Sequence, residues 1–220
     1  MMRLSSTEEN YIKTILSLSD KSKNFDTSTN MIAGKIKTKP PTVTIMLRNL
    51  KDKNLITYEK YKKVQLTSEG KHVAYQIVRK HRLWEVFLHD KLKFSWDEVH
   101  EIAEQLEHTI SDKLTDRLEE FLGFPSVDPH GDPIPDKNGK LKKLKVQPLN
   151  SAPVKKKLTI ASIANSSTEF LKYLDRIGLA IGDTLVIKNL EEFDKSVTIV
   201  HNKKTITLSN EVACNMLVST

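Results

Sequence analysis

The sequence predicts a mainly α chain with small β elements: an N-terminal winged helix-turn-helix, a helical middle segment and a C-terminal SH3-like β-barrel. Three observations predict it. The first 72 residues read helix, short helix, tight turn, helix, basic hairpin, the order of a winged helix-turn-helix. Residues 73–127 hold three consecutive amphipathic helical patterns. After residue 153, short β-runs alternate with turns. The expected division is 1–72, 73–127, a Pro-, Gly- and Lys-rich linker over 128–153, and 154–220.

The totals restrict the classes open to the chain. Its 220 residues, 38% hydrophobic and 29% charged, can bury a real core. No window approaches 18 apolar residues, so no membrane partner is expected. The opening MMRLSSTEEN has no apolar run of signal-peptide length. The single cysteine, Cys214, excludes an internal disulfide and fits a reducing, cytoplasmic location. The net charge of +7 is uneven. Residues 1–72 carry fourteen Lys/Arg against seven Asp/Glu, and residues 73–127 carry seven against eleven. A basic first third suits a polyanion; an acidic middle suits cations.

In chain order, Ser6 with Glu9 three residues on reads as a capping box, followed by Tyr11, Ile12, Ile15, Leu16 and Leu18 at helical spacing. TNMIAGKI is a short helix. KTKPP is a turn in which Thr38 can cap, and a proline suits the first turn of the next helix. That helix, PTVTIMLRNLKDK, turns Val43, Met46, Leu47 and Leu50 inward. ITYE and KVQL form two short strands around a basic turn.

On this reading the second helix of the pair enters the major groove of a double-stranded DNA operator. Lys37, Lys39, Thr42 and Thr44 lie at its exposed start, with Arg48 one turn on. Pro41 and Ile45 are placed for thymine methyls, and Tyr61, Lys62 and Lys63 form a wing suited to phosphate. A small helical domain with a solvated basic face is the alternative.

Residues 68–92 form a long helix, Ser95 and Glu98 make a second capping box, and 112–124 is a further amphipathic helix. Such a trio without a DNA-binding pattern suits homodimerisation. KLTIASIA, STEFLKYLDRIG, GDTLVIKNL, KSVTIVHN and KTITLS read as strand, helix and three strands of a small barrel.

EVHEIAEQLEH raises the chemical question. Val99, Ile102, Ala103 and Leu106 form its apolar stripe, and His100, Glu104, Glu107 and His108 fall within an arc of roughly 100° beside it. That arc holds only acids and imidazoles. Upstream, His81 and Glu85 are i,i+4 within an apolar face made by Ala74, Ile77, Val78, Trp84 and Leu88. A buried His–Glu pair must be satisfied, and the neighbouring polar arc is the simplest partner.

Three imidazoles and three carboxylates without thiolate suit Mn²⁺ or Fe²⁺, with Zn²⁺ admitted by raw affinity. They could instead satisfy one another as a polar core in a metal-independent regulator. A di-metal helical-bundle enzyme is the third reading, but its Glu-x-x-His spacing is absent and no nucleophile–base motif appears elsewhere, so neither an enzyme nor a small-molecule substrate is expected. His72, His89, His130 and His201 read as surface or loop histidines.

At these residues the chain resembles the diphtheria-toxin-repressor family of metal-dependent transcriptional regulators, and more closely its manganese-responsive branch. STEENYIKTI resembles the first helix, KPPTVTIMLRNL the recognition helix and YEKYKKVQLTSEG the wing. RKHRLWEVFL with EVHEIAEQLEHTISD resembles the metal-binding and dimerisation helices, and FPSVDPHGDPIP the approach to a C-terminal SH3-like (FeoA-like) domain.

The resemblance implies up to two metals per subunit: His81, Glu85 and His100 mainly at one site, Glu104, Glu107 and His108 at the other. Asn10 occupies the first-helix position that completes the second site. A methionine is typical there of iron-responsive members and an aspartate of manganese-responsive ones. Glu104 stands where an iron-responsive member has cysteine. Glu169 falls about where a barrel residue lends a ligand in longer members. The implied function is a repressor of metal-uptake genes, in which Mn²⁺ or Fe²⁺ as corepressor fixes the dimer on a palindromic operator.

Overall fold

The computed structural model describes residues 4–21, 27–59, 63–142 and 144–220. They fall into two compact units that do not follow chain order. One comprises Met1–His81, Glu104–Arg117 and Pro135–Leu141; the other comprises Arg82–Ala103, Leu118–Ile134 and Lys142–Thr220.

The first unit starts with α1 (Ser6–Lys21), capped one residue earlier than expected. The Ser5 amide donates to Glu8 Oε2 at 2.9 Å and the Glu8 amide to Ser5 Oγ at 3.3 Å, so Ser5 and Glu8, not Ser6 and Glu9, form the capping box. The two pairings share the same spacing. Lys53 selects between them, its Nζ lying 2.5 Å from Glu8 Oε1. Burial opposes ionisation of Glu8, but Lys53 and the Ser5 bonds outweigh it and hold the carboxyl below its usual range.

α2 (Thr29–Ile36) is capped by Ser28 and ends at Lys37, which takes the left-handed conformation at φ 56°. α3 (Pro40–Asp52) follows, with Lys39 at its N-cap, no side-chain cap and proline in its first turn; Thr38 does not cap it. β1 (Ile56–Thr57) pairs antiparallel with β2 (Gln65–Leu66), two residues each where four were expected. Ile12, Ile15, Ile32, Val43, Leu47 and Leu50 are fully buried between these elements. The start of α4 (Ser68–Val86) passes so close to this core that a Cβ at Gly70 would sit 1.9 Å from the Leu55 carbonyl oxygen. A helix, short helix, helix and two-stranded wing are therefore present in the expected order.

The second unit contains the end of α4, a π-helical turn at Phe87–Lys91, most of α5 (Val99–Leu106) and the end of α6 (Asp112–Phe121). Leu83, Val86, Leu118 and Ile134 form a small apolar cluster there. The segment expected to be a free linker is packed. The Asp128 carboxylate accepts from the His130 and Asp132 amides at 2.8 and 2.9 Å, and Ile163 N–H donates to the His130 carbonyl. Gly131 is at φ +81°, and a Cβ there would lie 2.0 Å from the Ala161 carbonyl oxygen, so only glycine fits.

The sheet also begins before residue 154. β3 (Gln147–Pro148) pairs with the last strand, and Leu149 is fully buried. The remaining elements are β4 (Lys157–Ile163), α7 (Thr168–Ile177), β5 (Thr184–Leu190), β6 (Val197–His201), β7 (Lys204–Leu208), α8 (Asn210–Asn215) and β8 (Met216–Ser219). Six strands run in the order β3-β8-β4-β5-β6-β7, and β4, β5 and β6 each carry a buried, alternating apolar face. Among the described residues, no helix is long and apolar enough to cross a membrane.

Candidate metal centres and nucleic-acid interface

Glu107 is the centre of the polar cluster in the first unit. It sits just past the end of α5 and is fully buried. His81 Nδ1 lies 2.6 Å from its Oε2, and Lys13 Nζ lies 2.6 and 2.8 Å from its two oxygens. Burial alone would push the Glu107 carboxyl up. The His81 hydrogen bond and charge, then Lys13, outweigh it and hold the carboxyl below its usual range. The expectation that His81 meets the acidic arc therefore holds: its partner is Glu107, on the turn after α5.

α1 reaches the same turn through a second contact. His108 Nδ1 lies 2.6 Å from Glu9 Oε2, and Lys80 Nζ lies 4.0 Å from Glu9 Oε1. Because Ser5 takes Glu8 as its capping partner, Glu9 is one position along and points to His108 instead of the helix start. Asn10, the first-helix ligand the resemblance implies, is exposed. Glu104 has an exposed side chain, with Lys13 Nζ 3.4 Å from its Oε1.

The second unit holds a different cluster. Glu85, one helical turn after His81, is 2% exposed, and its Oε1 lies 3.3 Å from His100 Nδ1. Asp128 and His130 join it: Glu85, Asp128 and His130 each offer a ligand atom, and these atoms lie within 4.8 Å of one another. All three residues are buried. Burial, with Glu85 and Asp132 adding negative charge, pushes the Asp128 carboxyl well up against the opposing pull of Arg82. Arg82 also donates to the Pro133 carbonyl and to Asp132.

His130 lies in a turn, but it is buried and not a surface histidine. Its ring stacks on Trp96 at a centroid separation of 6.4 Å, and its Nε2 lies 2.9 Å from the Trp96 carbonyl oxygen, leaving Nδ1 towards the acids. His201 is buried as well, with Nδ1 3.0 Å from the Thr184 carbonyl oxygen. Asp128 and His130 lay in a stretch read as linker, so nothing in its composition marked them; the D-P-H-G tetrapeptide is the only local signal. Glu169 is exposed on the first turn of α7. The contacts α7 makes to the start of the α5 segment are instead Asp175 with the Trp96 indole N–H at 3.0 Å and Lys172 with Asp97 at 3.5 Å.

Two or more carboxylates packed with imidazole, away from water, fit a divalent cation. In the second cluster two acids compete with one arginine for compensation. In the first, the single Lys13 ammonium lies between Glu104 and Glu107.

At the expected nucleic-acid interface, Lys37, Lys39, Pro41, Thr42, Ile45 and Arg48 are exposed, with Ile45 61% accessible despite its size. Thr44 is half-buried and its hydroxyl donates to the Pro40 carbonyl at 3.1 Å, so that donor is already used. Lys63 is exposed; Tyr61 and Lys62 lie outside the described residues.

Comparison with known proteins agrees with this fold. The model of the iron dependent repressor N-terminal DNA binding domain matches residues 3–64. The model of the iron dependent repressor metal binding and dimerisation domain matches residues 67–136. The FeoA domain model matches residues 147–220, starting where β3 starts. A solved manganese-dependent transcriptional repressor in complex with manganese is 32% identical, with a TM-score of 0.85 over 97% of this chain and 99% of that one. The structure of ScaR with bound Cd²⁺ is 32% identical with a TM-score of 0.78, covering 97% and 99%. The diphtheria toxin repressor of Corynebacterium jeikeium (strain K411) is 31% identical over 135 residues, 61% of this chain. That match spans 55% of the relative's own length.

Fold and clusters together define the class: a winged-helix chain joined to a helical segment with clustered carboxylates and imidazoles and to a FeoA-type barrel. The chain belongs to the diphtheria-toxin-repressor family of metal-dependent transcriptional regulators, on the side of its manganese-responsive members.

Proposed function

We propose that the chain is a metal-dependent, DNA-binding transcriptional repressor acting as a homodimer in the cytoplasm, with Mn²⁺ or Fe²⁺ as corepressor and metal-uptake genes as targets. The observation that carries this is the link between α1 and the turn after α5. Glu9 on the first helix of the winged unit meets His108 at 2.6 Å, beside the buried Glu107. A polar cluster that reaches the first helix can report its charge state to the DNA-reading elements.

Glu104, Glu107 and His108, with Glu9 or Asn10, would hold one metal. Glu85 would hold a second, with His100 or with Asp128 and His130. A bound divalent ion supplies positive charge that offsets the clustered carboxylates. The residues do the rest. Glu9 and His108 hold α1 against the 107–108 turn, His81 holds α4 to the same turn, and α1 is linked to α3 through α2 and the apolar core that Ile12 and Ile15 share with Val43 and Leu47. Fixing the two recognition helices at one spacing favours half-sites roughly 34–36 Å apart. The ligand acts through its higher affinity for the DNA-competent state.

Manganese is favoured over iron because Glu104, a hard oxygen donor, stands where a cysteine would select softer metals. The exposed apolar side chains Phe121 and Phe124 support a helical dimer surface. Element analysis after dialysis against Mn²⁺, with light scattering on the eluted species, tests the reading. One to two metals per subunit in a dimer is the expected result; a metal-free protein after saturation contradicts it.

A further inference from the structure

We infer that Lys13 is a tethered cation: its ammonium occupies the place between Glu104 and Glu107 that a divalent ion must enter, so that metal binding there requires its displacement. The inference rests on the metal reading above and adds a competitor that belongs to the chain itself.

The geometry is specific. Lys13 Nζ lies 2.6 and 2.8 Å from both oxygens of Glu107 and 3.4 Å from Glu104 Oε1. It therefore bridges two carboxylates, as a metal would. Exposed ion pairs of this kind contribute little. This one differs because Glu107 is fully buried and its charge needs a partner at all times. An ammonium and a divalent ion cannot share one carboxylate pair: like charges a few ångströms apart repel, most strongly on the side of the fully buried Glu107.

Position matters as much as charge. Lys13 follows Glu9 by four residues on α1, so the two side chains share a face. Glu9 grips His108 and Lys13 grips Glu107, fastening α1 to the 107–108 turn at two points one helical turn apart. The ammonium thus holds α1 near its place before metal arrives, and sets how much metal is needed to take over. Neutral Asn10 adds no charge that would help an incoming ion.

The test measures Mn²⁺ affinity by calorimetry and equilibrium dialysis for the full-length wild type, Lys13→Met, Lys13→Gln, Lys13→Arg and the distant control Lys35→Met. Removing the ammonium is expected to tighten Mn²⁺ binding about tenfold or more in both Lys13→Met and Lys13→Gln. Lys13→Arg retains the charge and stays near the wild type. Lys35→Met changes net charge equally and shifts affinity less than about twofold, because distant surface charges are screened.

Under chelator the neutral variants should melt below the wild type, and Mn²⁺ should raise their Tm by a larger increment. This second readout stays informative if one variant folds poorly. Neutral variants that bind Mn²⁺ no more tightly than the wild type, or a control that tightens equally, overturn the tethered cation and leave the metal reading intact. If no variant and no wild type takes up Mn²⁺, both fall.

Discussion

His81 Nδ1 lies 2.6 Å from Glu107 Oε2, joining α4 to the turn after α5 through a carboxylate that has no solvent exposure. The contact ties two residues 26 positions apart, and it is the reason His81 can sit in an apolar face. Glu107→Gln removes the charge that both His81 and Lys13 face. We expect the metal-free protein to lose about 3 kcal/mol, the scale for breaking a buried ion pair by removing one partner. Urea unfolding under chelator measures it, and Mn²⁺ titration should show one site lost.

Asp128→Asn should do the opposite to stability. The Asp128 carboxyl is pushed up by burial and by the neighbouring Glu85 and Asp132 charges, so neutralising it relieves a cost. The metal-free midpoint should rise or hold, while Mn²⁺ stoichiometry falls. A lower midpoint together with unchanged stoichiometry would remove Asp128 from the ligand set.

The cap of α1 gives a local test. Ser5→Ala should cost about 1 kcal/mol, whereas Ser6→Ala should cost less than about 0.5 kcal/mol. Hydrogen exchange of the α1 amides reads both. Equal effects would mean that the capping box is not fixed at Ser5 and Glu8.

The Glu8–Lys53 pair predicts a pH dependence. The folded Glu8 carboxyl lies below its ordinary value of 4.5, so its stabilisation is complete above that pH and is lost as pH falls through the acid range. The wild type should lose stability over that range more steeply than Glu8→Gln. Parallel curves would show that Lys53 does not hold the carboxyl ionised.

On DNA, Lys39→Ala and Arg48→Ala should each weaken binding to all duplexes and lower the salt slope by about 1. Ile45→Ala should leave the slope alone and relax sequence preference. Thr44→Val should cost little, since that hydroxyl already donates to the Pro40 carbonyl.

Much of this was legible in the sequence because it depends on period and spacing. The 3.6-residue pattern placed Val43, Leu47 and Leu50 inward and left Ile45 out. What escaped depends on tertiary choice. Ser5/Glu8 and Ser6/Glu9 fit the capping pattern equally, and only the distant Lys53 decides. A loop rich in Pro and Gly looks like a tether, yet Gly131 lets it press on β4 and bury Asp128 and His130. β3 is two residues long and contains Pro148, too short for any period to show. Lys13 carries no local signal, because its partners lie 91 and 94 residues away.

The most direct test is fluorescence anisotropy on a duplex selected from a random pool by the Mn²⁺-loaded protein, titrated once with Mn²⁺ and once with chelator at a fixed salt concentration. The account predicts a Kd at least tenfold tighter with Mn²⁺. Equal Kd values in the two titrations, or a selection that enriches no duplex, would contradict it.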